Sequence, residues 1–157
     1  MANVNDPDGF TPAYHMSGGT IRPSEFAIAS GTTGAIFSGD VVNLASGLVI
    51  QGTATGTPLG VFYGVEYRAT DGSVVFSKNW EGSTATLGSA NAKAFVYADP
   101  DIVYEAQGSA TPTQASIGTT NTITTTAGDS STGRSKEAVT ATTSSGIALI
   151  VGFPDKP

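Results

Sequence analysis

With 157 residues, the chain suits a single domain that buries roughly 68–70% of the surface its unfolded form exposes. It has no cysteine, which excludes disulfides, zinc–thiolate sites and thiol nucleophiles, and only 13% of its residues are charged, against about 25% in an average soluble domain. Seven basic and thirteen acidic side chains leave a net charge of −6, with no basic run longer than Arg134-Ser135-Lys136 to displace phosphate counterions, so nucleic acid is not an expected partner.

The first notable segment is "NDPDGFTPAYHMSGGTIRP" at 5–23, which holds two aromatics, a methionine, the only histidine and three prolines. Its apolar residues recur at neither a helical nor a strand period. Pro7, Pro12 and Pro23 hold φ and keep a chain extended, while Gly18-Gly19 offers a hinge. The expectation is an extended N-terminal arm over residues 1–20, followed by a β-rich domain over 21–157. Ordering such an arm costs about 1–2 kcal/mol per residue in backbone entropy, so it must gain contacts to stay down. Phe10, Tyr14 and Met16 can gain them in apolar pockets, on a neighbouring molecule or on their own domain; the neighbour is the expectation carried forward.

Beyond the arm the signals are short strands. "FAIAS" (26–30) alternates, and "GDVVNL" followed by "GLVIQG" reads as a hairpin turning at "ASG" (45–47). "GVFYGVEYRA" (60–69) places Val61, Tyr63, Val65 and Tyr67 on one face. The following Asp71-Gly72 marks a type I′ hairpin turn. On its far side Val74, Phe76 and Trp80 share a parity. "AFVYADPDIVYEAQ" gives two strands broken at Asp99-Pro100-Asp101, because proline cannot donate to a ladder. Residues 108–133 are nearly uncharged and low in complexity, with Ile117 and Ile123 leaving room for a short edge strand. "GIALIVGF" (146–153) closes the chain as a strand whose Ile147, Leu149, Val151 and Phe153 face one way. Many short strands punctuated by turns predict an all-β barrel or sandwich.

Catalytic and ligand-binding patterns are weak. His15 has no glycine-elbow serine to serve. Asp99, Asp101 and Glu105, like Asp6 and Asp8, lack the oxygen count and glycine placement of a calcium loop, and Asp-Pro suits a turn. The glycines form no phosphate-binding loop. Trp80, Phe76, Tyr63 and Tyr67 read as a core face, with a sugar-stacking platform as the alternative. No cofactor, metal site or catalytic residue is expected. No apolar run nears the ~20 residues of a membrane helix, and no basic-then-apolar leader opens the chain. A soluble protein with no membrane association is therefore expected.

The opening "NDPDGFTPAYHMSGG" is similar to the Asn-x-x-x-Gly-Phe-x-Pro arm, with a following Ser-Gly-Gly, that begins many decoration (cement) proteins of tailed-bacteriophage capsids. "SGDVVNLASGLV", "LGVFYGVEYRATDGSVVFSKNW", "AFVYADPDIVYEAQ" and "ALIVGF" resemble that family's successive strand segments in the same order. The resemblance implies a compact β-barrel or β-tulip-like domain that sits on the outer capsid surface. It also implies a homotrimer at or near local threefold positions that clamps neighbouring copies of the major capsid protein. By the same resemblance Phe10, Pro12, Tyr14, His15 and Met16 are the capsid-docking residues. The protein would be made in the host bacterial cytoplasm and end on the virion exterior, where its acidic balance keeps it clear of the genome. A trimeric fibre or tail component and a carbohydrate-binding module using Trp80 and Tyr67 are the alternatives.

Overall fold

The computed structural model describes residues 6–31, 34–143 and 146–154, the last three of the middle span by backbone alone. The described chain is almost entirely β, with two single-turn 3-10 helices at Leu87–Ser89 and Gln114–Ser116. The central element is a closed five-stranded barrel. Its strands are β2 (Ser24–Ile28), β4 (Val41–Ala45), β5 (Leu48–Gln51), β6 (Gly60–Arg68) and β9 (Ala92–Tyr97), hydrogen-bonded in the order β4-β5-β2-β9-β6. Pairing of Val41 with Val61 and of Val42 with Gly60 returns β6 to β4 and closes the ring. Only β2 and β5 run parallel; the other barrel pairs are antiparallel.

Both expected hairpins are present. Strands β4 and β5 meet at a two-residue turn in which Ser46 (φ 51°) and Gly47 (φ 79°) are both left-handed, the geometry that matches strand twist. The far half of β6 pairs with β7 (Val74–Ser77). Its turn differs from the expected type I′. Gly72 N–H donates to Ala69 C=O (2.9 Å) and Ala69 N–H to Ser73 C=O (2.8 Å), with Gly72 left-handed at φ 89°. This is a type I turn closed by a glycine bulge, and Asp71 Oδ1 holds it by accepting from the Ser73 amide and hydroxyl.

Alternation sorts side chains between two cores. Ile28, Val42, Val49, Phe62, Val65, Ala92, Ala94 and Val96 fill the barrel, together with Trp80 and Ile36. Trp80 and Ile36 come from a small pair outside the barrel ladder, β3 (Ile36–Phe37) with β8 (Asn79–Trp80). The neighbours of opposite parity, Val41 and Val61, face outward and form a second core with Phe10 and Ile123.

That second core is covered by an added layer. Strand β1 (Thr11–His15) pairs with β10 (Ile102–Glu105), and β11 (Thr120–Thr124) lies between β12 (Ala138–Thr143) and β13 (Ala148–Leu149). The strand expected within 108–133 is therefore present, but at the centre of its sheet rather than at an edge. The closing strand is shorter than 146–153: β13 has two residues, and Ile150 N–H to Thr119 C=O (3.1 Å) continues the pairing one step further.

Two expected faces are rearranged. A register shift between Phe62 and Gly64 puts Phe62 inside the barrel and turns Tyr63 to solvent, so Val61, Tyr63, Val65 and Tyr67 do not share a face. The chain also breaks between β7 and β8, leaving Val74 and Phe76 exposed (Phe76 at 71%) while Trp80 is fully buried.

Of the expected arm over 1–20, residues 1–5 lie outside the described residues, while residues 8–16 lie along their own chain. Phe10 is 8% exposed in the second core, its amide donates to Gly39 C=O (2.9 Å), and Arg134 Nη1 binds Asp8 Oδ2 at 2.6 Å. The entropy of ordering this segment is offset within the molecule. Burying a side chain of this size contributes about 1.5–3 kcal/mol, and the β1–β10 ladder satisfies the backbone.

Candidate functional site

Between the added layer and the barrel the second core is incompletely filled. A groove of about 810 Å³ opens there, lined by residues of β1 and β10, by 147–154, and by Leu59 and Tyr97 of the barrel. Its lining is mostly apolar. Several of the apolar side chains that line it are exposed to solvent: Tyr14, Met16 (61% exposed), Leu149 (57%), Val151 and Phe153. A contiguous apolar rim of this kind is the surface feature that marks an interaction site, whereas single exposed apolar residues are ordinary.

Each wall has a local cause. Strand β1 carries a register shift between Pro12 and Tyr14, where proline interrupts the ladder. The shift lets Phe10 point into the core while Tyr14 stands outward. On the opposite wall Leu149, Val151 and Phe153 share a parity and emerge from the end of β13, continuing the alternation past the hydrogen-bonded strand. At the barrel end, the Tyr104 hydroxyl donates to the Tyr97 carbonyl at 2.9 Å. Burial, followed by the nearby Tyr97 and Asp99 charges, pushes the Tyr104 phenol up to about 12, so it stays a neutral donor. Tyr63 meets Tyr97 edge-on at 5.5 Å.

Of the expected docking residues, Tyr14 and Met16 are exposed at the rim and Pro12 is half-buried. Phe10 is in the protein's own core and is withdrawn from that set. So is His15, whose side chain is 8% exposed and latched: Nε2 lies 3.0 Å from Asp99 Oδ2, and Nδ1 accepts the Ser17 amide (3.2 Å) and faces its hydroxyl (2.9 Å). Strand parity in "FTPAYH" (10–15) could have flagged Phe10 and Tyr14 as facing apart only if the bulge after Pro12 had been visible.

His15, Asp99 and Asp101 bring ligand atoms within 4.8 Å of one another. The hydrogen bonds argue against a cation there. An amide can only donate, so Nδ1 is the acceptor and the ring proton sits on Nε2, where it is given to Asp99. Binding a metal at Nε2 would move that proton to Nδ1, against the Ser17 N–H. Asp99 is further occupied by the Asp101 amide (2.9 Å), which with His15 holds its carboxyl below the usual range.

The sugar-stacking alternative loses its platform. Trp80 has no exposed surface and meets Tyr67 edge-on at 5.5 Å inside the barrel core.

One feature of the chemistry carried no sequence signal. Asp40 and Glu137 are both fully buried, at the junction between barrel and added layer. Asp40 Oδ2 accepts the Phe37 amide (2.8 Å) and Glu137 Oε2 accepts the Val41 amide (2.9 Å). Burial pushes Asp40 up to about 6, and burial with the neighbouring Asp40 charge pushes Glu137 up to about 8.

No helix among the described residues is long and apolar enough to cross a membrane. Comparison with protein-family models, with curated proteins and with solved structures finds no match to this chain.

Proposed function

We propose that this protein is a structural decoration protein of a tailed-phage capsid, bound to the outer shell as a trimer at or near local threefold positions. The observation that carries the reading is the apolar rim of Tyr14, Met16, Leu149, Val151 and Phe153 around an apolar groove, on a chain with few charges. The occupant is an apolar segment of the major capsid protein. Such a rim holds water-exposed area that a partner can cover, and the sparse charge lowers the desolvation penalty of covering it.

The mechanism is mechanical and involves no chemical step. Three copies in closed symmetry present three grooves, so after one engages a capsid subunit the others bind at high effective concentration. Individually modest contacts then clamp a seam between capsomers. The docking element is the groove face as a whole, with Tyr14 supplied by β1 and Met16 by the turn that follows it.

The reading is tested by adding the purified chain to expanded capsids that lack it and imaging them by electron cryomicroscopy. Trimeric density on the exterior at local threefold positions supports it. Shells that remain bare at saturating protein overturn it.

A further inference from the structure

Strand β7 (Val74–Ser77) ends its sheet, and among the described residues no strand lies on its outer side. Native edges are usually guarded by a charge, a proline or a bulge. This one reads Val74-Val75-Phe76-Ser77, with Val74 53% and Phe76 71% exposed. The hairpin tip beside it is open, since a methyl group at Gly72 would meet nothing within 4 Å.

Val74 and Phe76 also carry the unpaired backbone groups of that edge. The Ala69 amide donates to the Ser73 carbonyl (2.8 Å) at the turn, and hydrogen-bonded and non-hydrogen-bonded pairs alternate along an antiparallel ladder. By the register, Tyr67–Val75 and Val65–Ser77 are then the pairs bonded to β6. The N–H and C=O groups of Val74 and Phe76 point the other way, off the sheet. An exposed apolar face and a free hydrogen-bonding edge thus meet at the same two residues.

We propose that β7 pairs antiparallel with β7 of a second copy of this chain, about a two-fold axis through Val75. In that register Val74 exchanges backbone hydrogen bonds with Phe76 of the second copy, and the axis repeats the exchange, so the outward groups of both residues are used. On the exposed face each valine lies against the opposite phenylalanine, an aromatic–β-branched cross-strand pair. One step past the strand, the exposed Lys78, which makes no ion pair among the described residues, comes beside the exposed Asp71-Gly72 turn of the second copy. Opposite charges therefore flank the apolar centre at both ends, a complementarity that selects a second copy over a foreign strand. So short a strand covers well under the ~1,200 Å² of a stable interface, and the pairing forms where copies are crowded. Being two-fold, it joins one trimer to the next and does not build the trimer itself. The groove takes no part in it.

The chain has no cysteine, so a single introduced thiol can cross-link only between copies. Across the axis the two Val75 residues form a non-hydrogen-bonded pair with Cα atoms about 4.5 Å apart, within disulfide range, while the two Ser77 residues lie more than ~10 Å apart. Full-length Val75→Cys, treated with oxidised glutathione in the absence of capsids, is expected to give covalent dimer on a non-reducing gel. Its yield should exceed that of Ser77→Cys, and that of Val75→Cys combined with Phe76→Ser, by about fivefold or more. Equal yields from the three, or no dimer from Val75→Cys, overturn the pairing. Should the variants not fold, the wild type decides. Its Val74 and Phe76 amide resonances are expected to shift as concentration rises from about 0.05 to 1 mM. Resonances that stay fixed with concentration overturn the proposal, and a shift seen only when capsids are added does so by assigning the edge to a capsid strand.

Discussion

His15 Nε2 meets Asp99 Oδ2 at 3.0 Å and so pins the end of β1 to the turn that leads into β10. With the Met16 amide on the Asp101 carbonyl (2.9 Å), this contact closes one end of the groove wall on which Tyr14 and Met16 stand. Replacing His15 with alanine leaves Asp99 without its ring donor and the Ser17 amide without its acceptor. We expect faster proteolysis within residues 14–19 and a lower melting temperature, by less than for Phe10→Ala. Cleavage at the wild-type rate would contradict the latch.

Phe10→Ala removes the largest buried side chain of the N-terminal segment, from a core shared with Val41, Val61 and Ile123. Emptying such a site costs about 3–5 kcal/mol. Urea unfolding checks it. A change below about 1 kcal/mol would mean that the segment is not held in the core.

Gly60 sits where β6 passes β9, and a methyl group there would drive into the Tyr97 carbonyl, which is backbone and cannot swing aside. Gly60 is also half of the Val42–Gly60 pairing that closes the barrel. Gly60→Ala is expected to destabilise by about 1–3 kcal/mol or more through forced backbone shifts. Equal stability of variant and wild type would show the strands free to move apart.

The pH dependence of stability follows from the shifted acids. Asp40 is raised from 3.8 to about 6 and Glu137 from 4.5 to about 8, so the folded chain keeps protons that the unfolded chain has released. Stability therefore falls as pH rises from roughly 4 to 8 and levels off above that. Asp71, Asp99 and Asp129 are shifted downward by hydrogen bonds, from Ser73, from Asp101 and His15, and from Ser131. Their stabilisation is present above the ordinary carboxylate range and is lost as pH falls through their lowered values. Urea midpoints should peak near pH 4–5 and be lower at pH 8.5. A midpoint at pH 8.5 equal to or above that at pH 5 would contradict the buried-acid account.

The barrel was legible where turn chemistry and alternation agreed. Ser46-Gly47 marked the β4–β5 turn, and Asp99-Pro100-Asp101 separated β9 from β10. Misreadings came from irregularities that alternation cannot register. The shift after Phe62 turned Tyr63 outward, and the break at Lys78 parted Phe76 from Trp80. The added layer was faint because its strands are threonine-rich: β11 buries one apolar residue, Ile123, beside the polar Asn121. Phe10 resembled a docking anchor because the core it enters is assembled from β4, β6 and β11, residues far away in sequence. The buried Asp40 and Glu137 could not be foreseen, since an acid's burial depends on what folds over it.

The most direct test is cosedimentation with expanded capsids of the wild type and of a variant carrying Tyr14→Ser, Val151→Ser and Phe153→Ser. All three residues are exposed, so the variant should keep its stability to within about 0.5 kcal/mol per site. The account predicts that the wild type pellets with the shells while the variant, folded by circular dichroism, stays in the supernatant. A folded variant that pellets as fully as the wild type would contradict it.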